Sequence, residues 1–251
     1  MSEAVPSISA VVVSCTGVGK TFGSGRTATV AVHGTSCEVR RGDAIAVVGP
    51  SGCGKSTLLH LLGGFETPTS GEIRWPGLPD IPSRAPESVG FVFQAPSLVT
   101  VLDVAENVAL PLLLAGVSAA QIPAVVASAL AAVDLPGFGA RLPAELSGGQ
   151  AQRVAVARVL AQQPILILAD EPTAQLDAAH SRQVMDALLA AARSLNAALV
   201  VATHDDAVAD LLPMRWTVVD GRLMDGSHTD GGRTNGGHAD GSQHDGSVVS
   251  A

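Results

Sequence analysis

The run Gly49-Pro50-Ser51-Gly52-Cys53-Gly54-Lys55-Ser56-Thr57 has the composition and spacing needed to hold a chain of phosphates. In G-x-x-x-x-G-K-[ST] the glycines let the backbone wrap an anion, so that successive N–H groups point at it. An apolar run of strand length, Ala44 to Val48, precedes the loop, and a helical stretch, Ser56 to Leu62, follows it. The start of that helix adds its positive dipole end to the same site. Lys55 is then placed to reach the β- and γ-phosphates, and the Ser56 hydroxyl to ligate Mg²⁺. Cys53, close to the helix start and to Lys55, is expected to be a reactive thiol.

The chain has two lysines, Lys20 and Lys55, against thirteen arginines, and both stand in a Gly-Lys-Ser/Thr context. Gly17-Val18-Gly19-Lys20-Thr21 carries only the second half of the phosphate-binding pattern, because Ser14 stands where the first glycine belongs. Gly23-Ser24-Gly25 follows and cannot open a helix, so this segment reads as a strand end and turn.

A second chemical motif is Ile165-Leu166-Ile167-Leu168-Ala169-Asp170-Glu171, an apolar strand that ends in two carboxylates. Ligands of parallel sheets sit at the carboxyl ends of strands. If this strand lies beside the one that leads into Gly49, Asp170 points at the Mg²⁺ and Glu171 lies where a water must be activated.

Between these motifs stands Leu146-Ser147-Gly148-Gly149-Gln150, followed by Ala151-Gln152-Arg153. This resembles the signature motif of ATP-binding-cassette (ABC) ATPases, and further landmarks of that family follow in order. Gln94, after Phe91-Val92-Phe93, resembles the Q-loop glutamine; Ala174-Gln175-Leu176-Asp177 resembles the D-loop; His204 resembles the switch histidine. Phe22 stands where the family has an aromatic residue that stacks on adenine. The resemblance implies ATP as ligand and substrate, with Mg²⁺ held by Ser56, Gln94 and Asp170. It implies catalytic roles for Lys55, Gln94, Glu171 and His204. It also implies a head-to-tail, ATP-dependent homodimer, in which the phosphate loop of one subunit and Ser147, Gly148, Gly149 and Gln150 of the other enclose each nucleotide. Phe91-Val92-Phe93-Gln94, Asn107-Val108-Ala109-Leu110-Pro111-Leu112 and Leu168-Ala169-Asp170-Glu171-Pro172-Thr173 resemble the lipoprotein-release and macrolide-export branch. That branch pairs with a separate membrane permease, so the resemblance implies a cytoplasmic subunit, peripheral on the inner face of the membrane. The Pro-rich stretch between Trp75 and Val89 is shorter than in that branch. An alternative is a non-transport ABC ATPase that acts with a membrane or cell-division partner. Coiled-coil ABC ATPases of DNA repair separate the two motifs by hundreds of residues, whereas about ninety lie between Lys55 and Ser147. A small-molecule P-loop kinase would leave the signature and His204 unexplained.

The elements that must position these residues alternate between strand and helix after residue 44, which indicates a mainly parallel α/β sheet. The fold class expected is a P-loop NTPase (RecA-like) core with an antiparallel β subdomain and a helical signature subdomain at about residues 95–160. The β subdomain would take in strands at Val11 to Val13, Thr29 to Val32, Cys37 to Arg40 and Gly71 to Trp75. Helices are expected at Gly148 to Gln162 and Ala178 to Leu195. Strands are expected at Val89 to Phe93, Ile165 to Ala169 and Ala198 to Ala202, with a hairpin from Trp216 to Leu223 about Asp220-Gly221. The nearly uncharged run Val108 to Val133 is interrupted by Pro111, Gly116 and Pro123, and reads as two helices rather than a membrane span.

Composition narrows the partners. A chain of 251 residues with 47% hydrophobic and 15% charged residues can bury a large core. Its net charge of −8 and its lack of tyrosine argue against a nucleic-acid partner. The three cysteines, Cys15, Cys37 and Cys53, fit no zinc spacing and no disulfide framework, as suits a reducing compartment. Met1 to Ser9 has no apolar stretch of a secretion signal. The ATPase domain is placed at residues 1–224. From Asp225 onward, Asp225, Asp230, Asn235, Asp240 and Asp245 each open a pentapeptide repeat, [DN]-G-[SG]-x-x, with almost nothing to bury. Residues 225–251 are therefore expected to be a disordered tail. Substrate, transport direction and permease identity do not follow from the sequence.

Overall fold

The computed structural model describes residues 10–225. In chain order these form β1 (Val11–Phe22), β2 (Thr29–Arg40), β3 (Ala44–Val48), α1 (Lys55–Leu62), β4 (Ser70–Arg74), β5 (Val89–Val92), α2 (Val104–Leu114), α3 (Ile122–Ala132), α4 (Gly148–Gln162), β6 (Leu166–Asp170), α5 (Ala178–Leu195), β7 (Ala198–Thr203), α6 (Asp206–Ala209), β8 (Met214–Val219) and β9 (Arg222–Asp225). Two sheets result: a three-stranded sheet ordered β2-β1-β4 and a six-stranded sheet ordered β5-β6-β7-β3-β8-β9. The first is antiparallel; the second is parallel except for β9, which returns antiparallel to β8.

Side chains alternate between the faces of the large sheet, and this splits the core in two. Ala46, Val48, Val92, Ile167, Ala169, Leu199 and Val201 face the layer of α2 to α6. Ile45, Val47, Phe91, Leu166, Leu168, Val200 and Ala202 face α1 and the three-stranded sheet. Both faces are covered, which is why these strands are apolar throughout. The expected α/β core, antiparallel β subdomain and helical region are all present.

Three expectations need correction. The short strands foreseen in the β subdomain merge into two strands of twelve residues, because the glycines within them sit at bulges and do not end the pairing. Pro111 does not break the apolar run; it lies inside α2, whose Val104, Val108 and Leu112 are buried. The break comes at Gly116, with φ +75. Among the described residues no helix is long and apolar enough to cross a membrane. The tail boundary moves by one residue, since Asp225 ends β9 and pairs with Thr217; the rest of the repeat lies outside the described residues.

Candidate active site

Packing alone would not find the site, since a groove of about 1010 Å³ between α3 and α5 touches none of the expected site residues. The site follows instead from strand order. β3, β5, β6 and β7 run parallel, so their carboxyl ends share one edge. Gly49 follows β3, Gln94 lies just beyond β5, Asp170 ends β6 and His204 follows β7. Register levels them: Asp170 lies opposite Ala202, and Ala202 opposite Val47. β7 therefore separates β6 from β3. The two motif strands are therefore not neighbours, but Asp170 still ends at the level of the phosphate loop.

The loop is built on positive φ values at Gly49 (+155), Gly52 (+79) and Gly54 (+105). Two of these glycines are also sterically required. A Cβ on Gly49 would lie 2.2 Å from the Val218 carbonyl oxygen, and one on Gly54 2.1 Å from that of Ala31. Pro50, Ser51 and Gly52 form the exposed crown of the loop, Gly54 caps α1, and Ser56 is exposed in the first turn with Thr57 beside it. Lys55 is buried, and its Nζ donates to the carbonyl oxygens of Gly49 at 2.8 Å and Pro50 at 3.1 Å. Its ammonium thus lies within the loop, where it can exchange carbonyls for phosphate oxygens. Cys53 is buried in the core under the loop, its side chain packed towards Gly49. Its thiol is shielded from reagents while the loop keeps this shape, so high reactivity is not supported.

The loop is braced by a part of the chain that the sequence did not connect with it. Gly221 N–H donates to the Cys53 carbonyl at 2.9 Å, and His33 N–H to the Gly221 carbonyl at 2.8 Å. The β8–β9 turn, with Asp220 at φ +46 and Gly221 at +72, is therefore pinned between β2 and the phosphate loop. These residues line a cavity of about 280 Å³ at the loop's edge.

Asp170 is buried, and its Oδ1 has no hydrogen-bond partner among the described residues. A buried carboxylate oxygen without a donor is costly unless a cation compensates it. With the Ser56 hydroxyl and the Gln94 amide exposed at the same edge, the donor set is all oxygen, as Mg²⁺ requires.

Glu171 adopts φ +48, uncommon for a residue with a side chain, and its N–H is held by the Ala202 carbonyl at 2.9 Å. This turn directs its carboxylate to His204, whose Nδ1 lies 2.7 Å from Oε1. Glu171 is nearly buried while His204 is 59% exposed, so the imidazole covers the carboxylate from the solvent side. A cavity of about 340 Å³ opens beside the pair and Ala174, Leu176 and Asp205. The sequence placed both residues at the site; it did not show that they touch.

Ser147 caps α4 through a reciprocal pair of bonds with Gln150, at 3.2 and 3.0 Å. A Cβ on Gly149 would lie 2.8 Å from Leu176 Cδ2, and one on Gly148 3.2 Å from Gln175 Oε1. The signature glycines thus let α4 start against the Ala174–Asp177 segment. Gln152, missed in the sequence as a site residue, donates from Nε2 to the Phe93 carbonyl at 3.1 Å, next to Gln94. Arg158, also missed, donates to the Ser97 carbonyl and hydroxyl at 3.0 and 3.1 Å. Phe22 is exposed at the end of β1, with Lys20 Nζ 5.0 Å from its ring centroid. Lys20 itself pairs with Glu66 at 2.6 Å, which bears out its structural reading.

A phosphate loop, an orphaned aspartate and a Glu–His pair on the carboxyl edge of one sheet define a phosphate-loop nucleoside triphosphatase. Residues 32–174 match the family described as ABC transporter, and the chain belongs to that family as its ATP-binding, ATP-hydrolysing type of subunit. It is 39% identical over 211 residues to the lipoprotein-releasing system ATP-binding protein LolD of Legionella pneumophila (strain Lens), covering 81% of this chain and 93% of that protein. It is 41% identical over 212 residues to LolD of Geobacter metallireducens, covering 82% and 94%. Its structure is similar to a dimeric post-hydrolysis state of the ATP-binding cassette MJ0796 bound to ADP and Pi, with TM-score 0.80, 32% identity, and 87% and 99% of the two chains covered. It is also similar to cbiO1 of Clostridium perfringens, part of the ABC transporter complex cbiONQ, with TM-score 0.76, 27% identity, and 88% and 89% covered.

Proposed function

We propose that this chain is the ATPase subunit of a lipoprotein-release type transporter, peripheral on the cytoplasmic face of the membrane, and that it drives a separate permease as a homodimer closed by ATP. The observation that carries the ATPase chemistry is the Glu171–His204 pair beside the phosphate loop. Gly49, Pro50, Ser51, Gly52, Cys53, Gly54, Lys55, Ser56 and Thr57 hold the phosphates, with Phe22 against the base. Ser56, Gln94 and Asp170 hold Mg²⁺, which when bound neutralises charge on the phosphates. Glu171 accepts the proton of the attacking water, and His204 fixes the direction of its carboxylate.

The dimer is supported by the two-sided core. α1 starts at the phosphate loop on one face of the sheet, and α4 starts at Ser147 on the other. A second copy can bring its Ser147, Gly148, Gly149 and Gln150 to the phosphates, where the start of α4 presents N–H groups. The LolD relatives support the lipoprotein-release reading, and the reading of residues 1–224 as one ATPase domain is supported by the single six-stranded sheet that both core layers share. A membrane partner is supported by exposed apolar side chains next to Gln94: Phe65 and Phe93 lie 6.2 Å apart and both reach solvent.

Glu171→Gln tests the reading. ATP with Mg²⁺ is expected to convert that variant to a stable dimer in light scattering, with turnover lower by about 10²–10⁴-fold. Wild-type turnover would remove Glu171 from the role, and an ATP-loaded monomer would remove the dimer. Co-purification with a candidate permease of the lipoprotein-release type, and stimulation of the ATPase by it, test the transport assignment.

A further inference from the structure

Cys15 and Cys37 are 22 positions apart in the sequence, yet they stand directly opposite each other in the antiparallel pairing of β1 with β2. Facing residues in such a pair have Cα atoms about 4.5–5.5 Å apart. A disulfide needs a Cα separation of about 4.4–6.8 Å, so the backbone already satisfies it. Both thiols are free; Cys15 is buried and Cys37 is half-buried. Cys53, in contrast, lies under the phosphate loop and is not part of this pair.

We infer that Cys15 and Cys37 form a reversible oxidation site, which a peroxide-class oxidant closes into a disulfide that staples the β1–β2 hairpin. Cys37 sulfur, the more accessible, attacks one peroxide oxygen; the O–O bond breaks, and a sulfenic acid and one water form. Cys15 sulfur then attacks the Cys37 sulfur, the S–O bond breaks, and the hydroxyl leaves as a second water with the Cys15 proton. Two thiols are thus oxidised by two electrons and one peroxide is reduced to two waters. The hydrogen bond with Cys15, then burial, then the charges of Cys15 and Glu38 push the Cys37 thiol above its ordinary range. Cys37 therefore stays mostly protonated at neutral pH; its attack goes through the small thiolate fraction, so closure is slow and needs a sustained oxidant.

The position of the staple ties it to the nucleotide site. The closed loop contains Phe22, Ala31, whose carbonyl oxygen roofs Gly54, and His33, which holds the β8–β9 turn. The β1–β2 register is irregular immediately beyond the pair, between Cys15 and Val18. A bond at this point fixes the hairpin at the edge of its irregular stretch and limits its opening over the phosphate loop.

The test treats the folded full-length protein with hydrogen peroxide, alkylates the remaining thiols and maps them by trypsin digestion and mass spectrometry. Cleavage at Lys20, Arg26 and Arg40 separates the two cysteines, and Cys53 falls on a third peptide. The expected product is a monomer in which Met1–Lys20 is linked to Thr27–Arg40, with two of the three thiols lost and restored by dithiothreitol. Its Tm is expected to rise, and Cys37→Ser is expected to give neither the link nor the rise. Full alkylation of Cys15 and Cys37 after peroxide, or a link between two chains through Cys37, would overturn the site. A link without any change in Tm would overturn its action as a staple.

Discussion

Lys55 and Lys20 share a local sequence and differ in what their ammonium groups touch. Lys55 is buried against two carbonyls of its own loop and pairs with no carboxylate among the described residues. Lys20 is neutralised by Glu66 and also donates to the Thr67 carbonyl at 2.9 Å. Only Lys55 has a charge available for phosphate. Lys55→Ala is expected to raise the Kd for a fluorescent ATP analogue at least tenfold, since a charge-assisted bond contributes about 1.5–3 kcal/mol. Lys20→Ala is expected to lower Tm, by freeing β1 from the segment after α1, with Kd within about twofold of wild type. This charge balance was only half legible in the sequence. The missing glycine at Ser14 marked Lys20 as a decoy, but Glu66, its long-range partner, gave no sign.

α4 carries the signature at its first residues and grips the segment around Gln94 with two later ones. Gln152 holds the Phe93 carbonyl and Arg158 holds Ser97, so movement of α4 must move the Gln94 segment with it. Gln152→Ala is expected to leave Kd for nucleotide alone near wild type, and to raise the Mg²⁺ concentration needed for half-maximal ATPase several-fold; an unchanged Mg²⁺ dependence would show that Gln152 only packs. α5 offers a pH test. Asp177 caps it, and the His180 N–H, then the His180 side chain, hold the Asp177 carboxyl below its usual range. A carboxyl that is more acidic when folded adds stability above its unfolded value, about 3.9, and loses it as pH falls through the folded value. Asp177→Asn should therefore flatten the fall of Tm in that acid window, measured against wild type by thermal unfolding. The bounds of α4 and α5 were legible to the residue because Ser147 and Asp177 cap them and Gln163 and Asn196 end them in the left-handed region. The strand lengths were not, because bulges in β1 and β2 hide the alternation. Neither the interposition of β7 nor the Cys15–Cys37 pairing could be read, since strand order and register across a turn depend on the whole sheet.

The whole molecule puts its last hairpin against its first chemical element. β9 is the edge strand of the large sheet, and the turn before it donates to Cys53 in the phosphate loop while accepting from His33 in β2. Removing the turn would leave the Cys53 carbonyl without this donor and β8 as an unpaired edge, and would take away the contact that braces the loop. The segment after Asp225 has a different standing, since its repeats offer almost no apolar side chains with which to offset the entropy of ordering them. Two truncations separate these contributions. A chain ending at Asp225 is expected to keep Tm and ATPase rate close to those of the full chain. A chain ending at Val219 is expected to lose nucleotide affinity at least tenfold and to unfold at lower temperature, although the phosphate loop, Asp170, Glu171 and His204 are all retained. Equal activity of the two truncations would show that the phosphate loop holds its shape without the turn. A large loss in the longer one, without added metal, would show that the repeat packs on the catalytic core. A Tm shift with zinc or calcium that only the full chain shows would assign the repeat's histidines and aspartates to metal binding.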